Sequence, residues 1–136
     1  MKSFEYYVAL PDSMTDKELD VEFTELLDGF ESQSVGQSDF VKSLLELSDR
    51  QWHTYNVLDV GIRERVEDCL ISVWNGCDRV LVEDIISIMV RLGLEKIRVF
   101  LCSCSSIDVS PEVFNEISLA LSELGGSVED PYRGMR

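Results

Sequence analysis

The chain has 136 residues, 45% hydrophobic and 28% charged, a composition that buries a core without metal or disulfide staples. Its 26 carboxylates stand against 12 lysines and arginines, for a formal charge of −14. That sign repels phosphate, which argues against DNA, RNA or an anionic membrane as a direct partner and favours a basic protein. One domain over residues 1–136 is the expectation.

"MKSFEYYVALPDS" lacks the unbroken apolar stretch and small-residue cleavage site of an export signal, because Glu5 interrupts it. The longest hydrophobic segments carry Glu83, Asp84, Arg91 or Arg98, so none reads as a membrane span. The expected location is cytoplasmic, with Cys69, Cys77, Cys102 and Cys104 as reduced thiols.

In chain order, Phe4, Tyr6, Val8 and Leu10 alternate with Glu5, Tyr7 and Ala9 until Pro11, which predicts a strand. In "TDKELDVEFTELLDGFES", Thr15 and Glu18 form a capping box, with Met14 and Leu19 placed as its hydrophobic staple. Leu19, Phe23, Leu26, Leu27 and Phe30 then make one apolar stripe of a helix. At 100° per residue Glu18, Glu22 and Glu25 gather on one flank of that stripe. Asp20 and Glu31 lie on the other flank, and Asp28 points away. Lys17 is the single base.

"SQSVGQS" reads as a loop, and a second helix runs from about Ser38 to Arg50 with Phe40, Val41, Leu44 and Leu47 inward. "WHTYN" is ambiguous, a loop or a last helical turn. The third helix starts at Asn56, whose side chain can cap it, with Leu58, Ile62, Val66, Cys69, Leu70 and Val73 as its stripe. Gly76 is the expected left-handed stop, and Asp78 the cap of a fourth helix carrying Leu81, Ile85, Ile88, Met89 and Leu92 as far as Gly93. "KIRVFLCSCS" is apolar on both faces through Val99, Phe100, Leu101 and Cys102, the pattern of a central strand. A fifth helix follows, capped by Ser110, opened by Pro111 and stopped by Gly125, with Val113, Ile117, Ala120, Leu121 and Leu124 as its core face. "SVEDPY" suits a short edge strand. The predicted fold class is α/β (α+β): a helix-rich single domain, about five helices around a small two- or three-stranded sheet, in the order β-α-α-α-α-β-α-(β).

No motif names a reaction. The Asp16, Glu18, Asp20, Glu22 alternation would need glycine at position 21 and a carboxylate at 27 to be a calcium loop, and Val21 and Leu27 stand there. The four cysteines lack paired C-x₂-C spacing, so small buried hydrophobes are favoured over zinc, and neither metal nor cofactor is expected. His53, the only histidine, has no nucleophile or orienting group beside it in sequence. The glycines form no phosphate-binding loop. Enzymatic activity is therefore not predicted. Trp52, His53 and Tyr55 form a short aromatic cluster of the kind that packs in cores and also anchors interfaces.

The charge is unevenly placed. Residues 1–49 hold 12 acids and 3 bases, whereas residues 50–136 hold 14 and 9. Solubility alone would be served by an even spread; a concentrated field steers association with a positive partner.

With its acidic helix "DKELDVEFTELLDGFES", its thiols expected to be reduced and no catalytic motif, the chain resembles in general design the immunity proteins bacteria make against their own toxins. The barstar-like and contact-dependent growth inhibition groups are the comparison. The resemblance implies an inhibitor of a basic toxin, most simply a nuclease whose cationic cleft it covers. The partner-binding residues on that reading are Glu18, Glu22, Glu25, Asp28 and Glu31, with Trp52 and Tyr55. The alternatives are a phage-type acidic nucleic-acid mimic and a general interaction module or chaperone.

Overall fold

A computed structural model describes residues 4–11, 13–54 and 56–124, and every regular element among them is a helix. These are α1 (Phe4–Val8), α2 (Asp16–Glu31), α3 (Gln37–Trp52), α4 (Val60–Val73), α5 (Arg79–Leu92), α6 (Glu95–Cys102) and α7 (Pro111–Leu124). α3 lies at the centre, against α1, α2 and α5. α4 bridges α2 and α6, while α5, α6 and α7 pack on one another. The chain is a helical bundle, and the expected α/β sheet is not there among the described residues.

Where helix signals were strong, they hold. Thr15 and Glu18 make the capping box, with the Glu18 backbone N–H donating to Thr15 Oγ1 and the Thr15 N–H to Glu18 Oε1. The stripe residues Leu19, Phe23, Leu26 and Leu27 are fully buried, and Phe30 stacks on Phe40 of α3 at 4.2 Å between ring centroids. Phe40, Val41, Leu44 and Leu47 face inward on α3, as do Ile85, Ile88, Met89 and Leu92 on α5. Asp78 caps α5, which ends at Gly93 in the left-handed region, φ 72°. The Val113 N–H donates to Ser110 Oγ in front of Pro111, as predicted.

Both strand expectations within the described residues fail for the same reason: a short apolar run does not carry its own period. In "FEYYVAL" the residue that is buried is Tyr7, whereas Tyr6 and Val8 are exposed. The end of α1 is held by Arg50 of α3, a buried guanidinium that donates to the carbonyls of Val8 and Leu10 at 3.1 and 3.0 Å while also meeting Glu46. A cation on the last carbonyls of a helix satisfies its orphan acceptors and opposes its dipole. In "KIRVFLCSCS", Ile97 and Leu101 are buried at a spacing of four, and Val99, which a central strand would hide, is 55% exposed. α6 has no cap of its own, so Glu67 of α4 supplies one, accepting the Lys96 N–H at 2.7 Å. Burial pushes the Glu67 carboxyl above its usual range, with the Lys96 hydrogen bond opposing that shift.

Smaller corrections concern helix ends. The cap of α4 is Asp59, not Asn56: Asp59 Oδ2 accepts from the Ile62 N–H at 3.2 Å. Gly76 is not left-handed. α4 ends at Trp74, and glycine is required at 76 because a Cβ there would stand 2.7 Å from Val109 Cγ1. "SVEDPY" and Gly125 lie outside the described residues.

Candidate protein-binding face

α2 is oriented by its stripe against α3 and α4, which leaves its acidic side to solvent or to neighbouring helices. The two ends of that side differ. At the C-terminal end, Arg65 of α4 reaches Asp28 at 2.8 Å and Glu31 at 2.6 Å, and the two carboxylates hold the guanidinium firmly protonated. At the N-terminal end, Asp16 and Asp20 sit near Asp59, the cap of α4. Asp20 is pushed above the usual carboxylate range by partial burial, then by the charges of Asp59 and Asp16. Asp16 accepts a neutral hydrogen bond from Asn56 Nδ2 at 3.0 Å. Among the described residues no lysine or arginine lies within ion-pair distance of Asp16, Asp20 or Asp59.

The sequence-predicted residues therefore separate. Glu18 and Glu25 are exposed. Glu18 is engaged by Thr15, whose backbone N–H and hydroxyl hold its pKa below the usual value. Asp28 and Glu31 are exposed and share Arg65. Glu22 is not a surface residue. It is only 6% exposed, at the edge of the buried stripe. Trp52 is half-buried at the end of α3, and Tyr55 lies outside the described residues. His53 is exposed where α3 ends.

Beside α2 lies a groove of about 320 Å³, lined by Tyr6 of α1, by Leu10, Pro11 and Met14 of the connection, and by Glu18, Val21 and Glu22 of α2. Among the described residues its charged groups are the carboxylates of Glu18 and Glu22. Val21, 51% exposed, and Tyr6, 38% exposed, are large apolar side chains open to solvent there.

The expectation of small buried hydrophobes holds for Cys69 alone: Cys77 and Cys102 are exposed and Cys104 is half-buried. All four cysteines are free. Cys69 is buried, which pushes its thiol up to about 11 and leaves it unreactive. Cys102 ends α6 and Cys104 lies just beyond it, so the two do not share a strand face. Among the described residues no three His, Cys, Asp or Glu side chains are grouped as metal ligands. Across α4 and α6, Lys96 pairs with Asp68 at 2.6 Å, and within α6 Arg98 pairs with Glu95 at 2.5 Å.

Sequence reasoning missed Asp59, Arg65 and the groove. Asp59 had a readable signal, a short acid three residues before Ile62 at the start of an apolar stripe. Arg65 had none, since its pairing with Asp28 and Glu31 depends on how α4 crosses α2. The groove was hidden because α1 was read as a strand. No helix among the described residues is long and apolar enough to cross a membrane. No known protein family, curated protein or solved structure matches the chain.

Proposed function

We propose that the chain is an immunity or inhibitor protein that captures a basic toxin in the cytoplasm through the acidic side of α2. A nuclease fits that side best, because such an enzyme holds phosphate with Lys and Arg that carboxylates can occupy. The observation carrying this reading is the crowding of Asp16 and Asp20 against Asp59. Like charges raise the free energy of the ionised state, and here the charges of Asp59 and Asp16 add to the upward shift that partial burial gives Asp20. A partner's lysine or arginine would relieve that repulsion. The working surface on this reading is Asp16, Asp20 and Asp59, with Asp28 and Glu31 entering only if a partner displaces Arg65.

Affinity capture from the native host at low salt, with elution by rising salt, tests it. The expected catch is a basic protein that is toxic when expressed alone and harmless when co-expressed with this chain. A partner that is acidic, or whose expression the cell tolerates without this chain, would overturn the reading.

A further inference from the structure

The groove beside α2 has a composition that solubility does not explain. Tyr6, Leu10, Pro11, Met14 and Val21 line a hollow of about 320 Å³, and Glu18 and Glu22 stand in its wall. Val21 occupies the exposed side of α2, where the neighbouring exposed positions are charged: Lys17, Glu18, Glu25 and Asp28. An apolar hollow on an acidic face is complementary to one kind of occupant: a large apolar side chain flanked by lysine or arginine. The apolar side chain displaces water from the hollow while a flanking cation meets Glu18, the exposed carboxylate of the wall, the division of labour between the core and rim of an interface. We infer that this groove receives an apolar anchor residue from a lysine- or arginine-rich segment of the basic partner. The inference rests on the reading of α2 as the partner-facing helix and adds that recognition has an apolar lock as well as a charge.

The test uses the full chain and two fluorescein-labelled peptides, one lysine-rich with a single central leucine and the other identical but with serine in its place. Anisotropy at low salt should show the leucine peptide binding roughly tenfold more tightly, the size expected when one aliphatic side chain leaves water. Val21→Ser removes apolar wall without altering charge at a site exposed enough to spare the fold, which circular dichroism would verify. It should weaken the leucine peptide about threefold or more and leave the serine peptide unchanged. Equal binding of both peptides, insensitive to Val21→Ser, would overturn the groove while leaving the acidic-face reading intact. No binding of either peptide would overturn both. A third peptide, neutral around the same leucine, should bind more weakly than the basic one, and equal binding would overturn the cationic partner and with it the inference. A dimer of the chain in sedimentation, abolished by Val21→Ser, would give the groove to a second copy and would likewise overturn it.

Discussion

The two ends of α2 each carry a pair of carboxylates, and the pairs meet opposite fates. At Asp28 and Glu31 a guanidinium from α4 reaches two carboxylates and neutralises them in part. At Asp16 and Asp20 the same neighbouring helix brings Asp59 instead, and the charges repel. One pairing ties α4 to α2; at the other, no lysine or arginine among the described residues lies within ion-pair distance. Net charge alone cannot separate a solvated face from a binding face. What separates them is whether the fold has supplied its own counter-ion.

The comparison can be broken at its root by Phe23→Ala. Phe23 is fully buried on the stripe that orients both ends, and its loss should cost about 3–5 kcal/mol in urea unfolding. A cost below about 1 kcal/mol would mean that α2 is turned differently. Arg50→Ala comes next. It strips the end of α1 of its donors and should cost about 1.5–3 kcal/mol. It should also loosen α1, seen as faster amide exchange there.

Arg65→Ala turns the quiet end of α2 into a second repulsive one. The pair is solvent-screened, so the loss should be only about 0.2–1 kcal/mol and should shrink as salt rises. Asp20→Asn acts at the opposite end. The pKa of Asp20 is higher in the folded chain than in the unfolded one, so folding takes up a proton and stability falls as pH rises through the carboxylate range. The asparagine variant should therefore melt slightly higher than wild type at pH 7 and converge with it in acid. The wild-type slope should flatten but not vanish, because burial also raises the carboxyls of Glu67 and Asp84.

Much of the bundle was legible because long stripes carry their own period and caps are local chemistry. The Thr15–Glu18 box, Asp78, Gly93 and Ser110 are each fixed by neighbours within a few residues. α1 and α6 were not legible. With five and eight residues, each depends on a distant partner for its ends, Arg50 for the first and Glu67 for the second. The face was half legible for the same reason. The acids of α2 could be counted, but Arg65 lies 34 residues beyond Glu31. Glu22, at the edge of the stripe, is decided by tertiary packing that spacing along α2 does not encode.

The most direct measurement is the association rate of the captured basic partner with two double variants of equal charge change. Asp16→Asn with Asp20→Asn neutralises the repulsive end, while Asp28→Asn with Glu31→Gln neutralises the paired end. The account predicts that the first pair slows association several-fold at low ionic strength, within the roughly 10–10³ range of electrostatic steering. The second pair should change it little, and rising salt should erase the difference between them. Equal slowing by both pairs, or slowing by the second alone, would contradict it.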